Sequence, residues 1–240
     1  MNRRDSYSGA VCESQMSLFS GWFGEKIATF TMWLTLDSKK YKRVHDVILP
    51  SKNGTAQIDH ILVSVYGIFI IETKNVKGWI FGSEKQAKWT QVLYGHKYTF
   101  QNPIRQTFRQ KKVLAEFLDI DEHLIHTIVY FVGDCEFKTR LPPNVLQYGL
   151  ESYVKRFRQH VFSYAETIRI YDKLERTAKS KSLSKSDHLK SLHERHNSTK
   201  ACPRCGGVLL IRTARKGSNA GLEFLGCSNY PKCRFTRRVS

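Results

Sequence analysis

Gln57-Ile58-Asp59-His60-Ile61-Leu62-Val63-Ser64, then Val65-Tyr66, then Gly67-Ile68-Phe69-Ile70-Ile71-Glu72-Thr73-Lys74-Asn75 reads as two apolar strands joined by a tight turn. Each strand carries one carboxylate at the end away from the turn. Folding back at residues 65–66 brings position 59 opposite position 72 to within about a residue, because an antiparallel pair runs in register from its turn. Two neighbouring carboxylates repel unless a positive charge sits between them. A divalent cation supplies that charge, and Mg²⁺ prefers oxygen ligands. Lys74, two residues beyond Glu72, falls on the same face of its strand. An Asp beside Glu-x-Lys is therefore a candidate metal site with a fixed cation next to it. Such a site suits phosphodiester hydrolysis, in which the metal stabilises phosphate charge and the lysine orients or activates water. The alternative is that these are ordinary strand-end charges. The apolar character of both strands weighs against it, since unpaired charges are costly in a central position.

Moving outward, Tyr41–Leu49 is expected as a strand stopped by Pro50, with Asn53-Gly54 as a tight hairpin connection, so three strands form a meander. Their density of Ile, Val and Phe predicts helical cover on both faces. Before them, residues 21–36 show an apolar stripe (Trp22, Phe23, Ile27, Phe30, Trp33, Leu34) at helical spacing. Glu25 in that helix is either a surface charge near a helix start or a third carboxylate for the site.

After the hairpin, short strands are expected over residues 76–82, 87–92 and 97–100. Their aromatics, Trp79, Phe81, Trp89, Tyr94, Tyr98 and Phe100, interleave with lysines. That pattern either forms a nucleic-acid platform or packs a small sheet onto the core; packing is the preferred reading for most of them. Asn102-Pro103 opens a helix to about Leu118, with Asn as N-cap and Pro in the first turn. Its apolar set is Ile104, Phe108, Val113, Leu114 and Phe117. Gln106 and Gln110, four apart, share a face and are either surface residues or hydrogen-bonding partners of a phosphate or a metal-bound water near the hairpin. His126–Val132 reads as a strand at the sheet edge, Val145–Tyr148 as a short strand, and residues 150–157 and 163–176 as helices. Residues 177–200 read as a basic linker.

The second organised stretch is C-terminal. Cys202-Pro203-Arg204-Cys205 and Cys227-Ser228-Asn229-Tyr230-Pro231-Lys232-Cys233 supply four thiols separated by 21 residues. This suits tetrahedral structural Zn²⁺ between hairpin strands at Val208–Thr213 and Leu222–Gly226. About 40 residues hold too little core to fold without such a staple. Four thiolates leave no open position, so the module is expected to bind and not to catalyse. It has eight basic residues (Arg204, Arg212, Arg215, Lys216, Lys232, Arg234, Arg237, Arg238) against Glu223 alone. With Phe224, Tyr230 and Phe235 available to stack on bases, nucleic acid is the natural ligand and a protein partner the alternative.

Composition agrees with a polyanionic partner: 39 Lys and Arg against 21 Asp and Glu give a net charge of +18. DNA, RNA and an anionic membrane surface all satisfy charge alone. No signal-peptide pattern opens the chain, and the longest apolar run, residues 61–71, is too short to span a bilayer as a helix. A soluble, cytoplasmic protein is expected.

Two resemblances sharpen the reading. Gly24-Glu25, the hairpin from Gln57 to Asn75, Gly78-Trp79, and Asn102-Pro103 with Gln106 together resemble the nuclease-related domain family over residues 20–135. That family is similar to the restriction-endonuclease-like superfamily. The resemblance implies an α/β fold, a mixed-sheet core flanked by helices. It implies site residues Glu25, Asp59, Glu72 and Lys74, with Gln106 in support. It also implies Mg²⁺ (or Mn²⁺) held by Asp59, Glu72 and the Thr73 carbonyl. Residues 201–240 look like the zinc ribbon of bacterial type IA DNA topoisomerases, with Cys202, Cys205, Cys227 and Cys233 on Zn²⁺. No tyrosine-nucleophile domain is visible. The expected organisation is an arm over 1–19, a nuclease-related domain with helical extension over 20–176, a linker over 177–200 and the ribbon over 201–240. The expected function is metal-dependent hydrolysis of DNA, with a DNA-binding or recruitment protein as the alternative. Expected partners are DNA ahead of RNA and no membrane. A second copy of the chain would serve where both strands are cut, and a protein of DNA repair or defence is a further candidate.

Overall fold

The computed structural model describes residues 36–52, 54–180, 183–203 and 207–239. The N-terminal arm and the helix expected over 21–36 fall almost wholly outside the described residues, and Glu25 with them.

The main sheet has five strands in the order β1 (Lys42–Ser51), β2 (Gly54–Ser64), β3 (Gly67–Lys74), β7 (Ile125–Phe131) and β9 (Val145–Leu146). The first three form the expected antiparallel meander. Ser64 pairs with Gly67 and His60 with Ile71, so Val65-Tyr66 is the turn and position 59 stands opposite 72. β7 does not lie at the edge: it pairs in parallel with β3 from Ile68↔Ile125 to Lys74↔Phe131, and β9 lies outside it. Pro50 does not end β1 either, since Pro50↔Thr55 and Ser51↔Gly54 extend the ladder. β1 is an edge strand, where a missing N–H costs no ladder bond. Ile68, Phe69, Ile70 and Ile71 are all fully buried because both sheet faces are covered. Ile68 and Ile70 pack with Val113, Leu114, Phe162 and Leu174 on one side. Phe69 and Ile71 pack with Leu150 and Val154 on the other.

The helices that supply this cover are α1 (Pro103–Leu118), α2 (Leu150–Val154) and α3 (Tyr164–Ser180). Asn102 caps α1 by accepting from Ile104 N–H at 3.0 Å. Its side-chain NH₂ also donates to the carbonyls of Ser83 (2.9 Å) and Gln86 (2.7 Å), tying the helix start to the loop before Lys88. The buried face of α1 contains Pro103, Thr107, Gln110 and Leu114, whereas Phe108, expected inside, is 55% exposed. The helix is rotated so that its polar glutamine edge, and not the Phe108 edge, meets the hairpin.

A second sheet, β6 (His96–Gln101), β5 (Lys88–Leu93), β4 (Gly78–Phe81) and β8 (Cys135–Phe137), follows the order β6-β5-β4-β8. Ile80 and Trp89, both fully buried, pack it onto Val129 and Phe131 of β7. Tyr94 and Gly95 link β5 to β6 with φ of 50° and 81°, the paired positive values of a type I′ hairpin.

Residues 177–200 contain the end of α3 and a further helix, α4 (Lys185–Asn197), in place of an unstructured linker. Ser184 and Asp187 form a capping box at its start. α4 lies against the β1–β2 hairpin: Thr55 N–H donates to Ser191 Oγ at 2.9 Å, Thr55 Oγ1 meets His188 Nδ1 at 2.7 Å, and Lys185 pairs with Asp46 at 2.8 Å. Gly54 has a φ of 104°, which side chains rarely adopt, and a Cβ there would stand 2.1 Å from Ser191 Oγ. The low apolar content that suggested a linker is real, but one buried histidine and one serine suffice to seat the helix. Beyond it, β10 (Leu209–Thr213), β11 (Glu223–Cys227) and β12 (Thr236–Arg238) form the ribbon, one strand more than expected. No helix among the described residues is long and apolar enough to cross a membrane.

Candidate active site and zinc ribbon

The β2–β3 ladder ends at His60↔Ile71, and the β1–β2 ladder has no partners recorded at Asp46 and Asp59. Asp46 takes a φ of 53°, which bends the edge strand there. Asp59 therefore sits where the meander opens. Beyond the last rung, Thr73 N–H has no backbone acceptor in β2, and the Asp59 carboxylate takes its place. Thr73 donates from both its N–H and its hydroxyl to Asp59 Oδ2, each at 3.3 Å.

Glu72 is 2% exposed. Lys74 Nζ stands 2.5 Å from Glu72 Oε1 and donates to Gln106 Oε1 at 3.2 Å. Gln110 Nε2 donates to Glu72 Oε2 at 2.8 Å and to the Gln57 carbonyl at 2.9 Å. The i, i+4 glutamine pair of α1 thus divides its work: Gln106 holds the lysine and Gln110 holds the glutamate. The structure gathers Asp59, Glu72, Thr73, Lys74 and Gln106 in one place. Gln110, read as a surface residue or a partner of phosphate or metal-bound water, instead donates to Glu72. Its signal was the four-residue spacing from Gln106. Nearby, His45 and His60 meet at 2.7 Å between their Nδ1 atoms, and burial with the His45 contact pushes His60 down to about 3. No sequence motif announced that pair, because it forms across two strands.

The charge balance of the cluster decides what it can hold. Two carboxylates face one ammonium. Burial first, and Glu72 second, push the Asp59 carboxyl up to about 6, against the opposing pull of Lys74 and the Thr73 bonds. Asp59 Oδ1 takes no hydrogen bond among the described residues. Gln110 Oε1 is buried and without a partner, because both neighbours of this amide are acceptors and its NH₂ must face them. A buried oxygen without a partner beside a surplus of negative charge suits a hard cation. Gln110→Ala would leave Glu72 Oε2 and the Gln57 carbonyl without their donor. It is expected to lower stability by about 1–3 kcal/mol in urea denaturation. An unchanged midpoint would contradict the assignment of Gln110 as Glu72's structural partner.

In the ribbon, Cys202, Cys227 and Cys233 are buried, with sulfurs within 4.8 Å of one another. Cys202 Sγ and Cys233 Sγ are 3.8 Å apart. Two thiolates each about 2.3 Å from a tetrahedral zinc stand about 3.8 Å apart, so this spacing suits structural Zn²⁺. Asn229 N–H donates to Cys227 Sγ at 3.4 Å, fixing that sulfur. Cys205, the expected fourth ligand, lies outside the described residues.

The chain thus carries a buried acid–lysine cluster on its main sheet and a separate buried cysteine cluster in its last module. Comparison with known families gives each a likeness. Residues 20–132 match the nuclease-related domain, and residues 199–240 match the topoisomerase DNA binding C4 zinc finger, so both resemblances read in the sequence are found. An uncharacterized protein of Bacillus anthracis is 39% identical over 111 residues, 46% of this chain and 52% of that protein. DNA topoisomerase 1 of Archaeoglobus fulgidus is 57% identical over 35 residues, 15% of this chain and 5% of that enzyme. The corresponding enzyme of Helicobacter pylori is 41% identical over 39 residues, 16% of this chain and 5% of its own length. The chain thus spans about half the length of the first relative and 5% of the length of each topoisomerase. No solved structure gives a significant match.

Proposed function

We propose that this protein is a metal-dependent nuclease that hydrolyses phosphodiester bonds in DNA, with the ribbon serving to hold nucleic acid. The observation that carries the reading is the buried Glu72 engaged by Lys74 and Gln110 beside Asp59, at the point where the meander opens. A purely structural ion pair has no use for a second, unneutralised carboxylate at that position. The +18 net charge supports a polyanionic substrate, and the matched zinc-finger family, described as DNA binding, favours DNA over RNA.

In this reading Asp59, Glu72 and the Thr73 carbonyl would hold Mg²⁺ or Mn²⁺; Glu25, expected beside them from the sequence, lies outside the described residues. Bound there, the cation supplies charge stabilisation to the phosphate and to the departing oxygen. Lys74 Nζ, held between Glu72 and Gln106, would orient the attacking water or a phosphate oxygen. Gln106 keeps the ammonium aimed. Gln110 fixes the Glu72 carboxylate, so the acid does not have to be ordered during the reaction. The basic ribbon and the lysines near the site neutralise the DNA backbone.

Manganese titration followed by electron paramagnetic resonance tests the cation site without any substrate. With the Asp59 carboxyl near 6, binding at pH 5 must displace a proton that is absent at pH 8. Affinity is expected to be about tenfold weaker at pH 5. Equal affinity at the two pH values, or no binding, would count against the site.

A further inference from the structure

The second sheet presents two different faces. Along β4 the burial alternates: Ile80 is fully buried, while Trp79 is 50% and Phe81 36% exposed. The inward face is the one expected from a sheet that packs on a core, with Ile80, Trp89 and Phe100 against Phe131 and its neighbours. The outward face is not. Trp79 and Phe81 lie two residues apart on it, about 6.7 Å along the strand, which leaves room for one base against each ring. Register places their neighbours on the same face: Trp79↔Val92↔Lys97 forms one row, Phe81↔Thr90↔Thr99 the next, and Lys88 follows on β5. On the other side Glu136 pairs with Trp79 across β4–β8, and Lys138 Nζ lies 4.7 Å from the Trp79 ring centre. Lys138 is ion-paired with Glu136 at 2.6 Å, so Lys88 and Lys97 leave the face net positive.

Two exposed rings side by side on one face, rimmed by polar residues, are the kind of surface that marks an interaction site. A flat sheet face with two rings at base spacing and a rim of lysines has the chemistry of a stacking platform for unpaired bases. A duplex cannot use it, because its bases are stacked inside and present only edges in the grooves. The platform also stands close to the cluster of acids: Trp79 follows Lys74 by five residues, at most about 18 Å of extended chain.

We infer that the outer face of the second sheet, centred on Trp79 and Phe81 with Lys88, Lys97 and Lys138, binds single-stranded DNA, and that the substrate carries an unpaired segment next to the bond to be cut. The second half of this inference rests on the nuclease reading; the first does not.

The test separates them by measuring binding in EDTA, where no cutting occurs. Anisotropy of a fluorescein-labelled oligo(dT) is recorded with the full chain and with the Trp79→Ala/Phe81→Ala double variant, beside a blunt duplex of equal length. A second variant, Lys97→Ala, carries the charge question. The double variant is expected to weaken oligo(dT) binding about tenfold or more and to change duplex binding less than twofold. Lys97→Ala is expected to reduce the slope of log affinity against log salt by about 0.7 on the single strand. Circular dichroism with a retained melting temperature shows that removing exposed rings has left the fold intact; if the double variant unfolds, bromouracil photocrosslinking of the unaltered chain must label Trp79 or Phe81. Equal loss on single strand and duplex, no loss on either, or crosslinks confined to other segments would overturn the platform. Metal-dependent cutting with no platform would leave the nuclease reading standing alone, and a working platform on a protein that never cuts would do the reverse.

Discussion

Asp59→Asn is expected to abolish cleavage and, in the same protein, to raise its thermal stability when no metal is present. The catalytic half follows from removing a negative ligand: the variant is expected to lose about 10³-fold or more in rate, an effect of several kcal/mol. The stability half follows from the sign of the shift. The Asp59 carboxyl moves from 3.8 up to about 6 on folding, chiefly through burial and then through Glu72. Between those values the folded chain holds a proton that the unfolded chain has released. Stability from this group is therefore fully present below about pH 4, declines as pH rises through the window, and is gone above about pH 7. Asparagine is neutral throughout and can still accept from Thr73. In EDTA at pH 8 the variant should be more stable by about 1–3 kcal/mol, a few degrees in melting temperature for a chain of this size. At pH 4 the difference should vanish, and saturating Mg²⁺ should reverse it by stabilising only the unaltered protein. Calorimetry at the two pH values checks each step. A variant less stable than the parent at pH 8 would show that Asp59 is held there for structure.

Zinc removal should act on a different part of the chain. The ribbon's buried cluster consists of Cys202, Leu209, Leu225, Cys227 and Cys233, with Phe235 against it, so most of its interior is metal-binding sulfur. Structural zinc of this kind supplies about 10–16 kcal/mol of apparent binding energy at neutral pH. No such amount can come from two leucines. A strong chelator, or Cys227→Ser, is expected to abolish hydrogen-exchange protection in β10, β11 and β12 while leaving β2, β3 and β7 protected. Affinity for DNA should fall about tenfold or more at moderate salt, and its salt dependence should flatten as the ribbon's eight basic residues lose their arrangement. Protection that survives in the ribbon without metal would contradict the assignment of the thiols to zinc.

Local features of this fold could be read from the chain. The hairpin register is set by Val65-Tyr66 as the turn, and strand periodicity then places Lys74 beside Glu72. The Asn102 cap fixes where α1 begins, which places Gln106 and Gln110 on one edge. What resisted reading depends on distant contacts. Nothing local says that β7 inserts beside β3 in parallel, since that pairing joins residues more than fifty positions apart. Phe108 has the hydrophobicity of a core residue, but the rotation of α1 is decided by Gln110 reaching Glu72. α4 is seated by His188, Ser191 and Gly54, a polar contact that a hydrophobic pattern does not register. In the second sheet Trp79 and Phe81 face out while Trp89 faces in, and the sequence shows the parity of each strand but not which face meets the core.

The most direct measurement is cleavage of end-labelled single-stranded DNA, duplex DNA, a duplex with a single-stranded tail, and RNA by the purified chain in Mg²⁺, Mn²⁺ or EDTA. Asp59→Asn and Lys74→Ala run beside it, with binding measured in parallel. The site described above predicts cutting of DNA that requires the metal and is lost in both variants while binding remains. Cutting that persists in Asp59→Asn, or tight binding with no cutting of any substrate in either metal, would contradict it and leave a DNA-binding protein built on a nuclease-related fold.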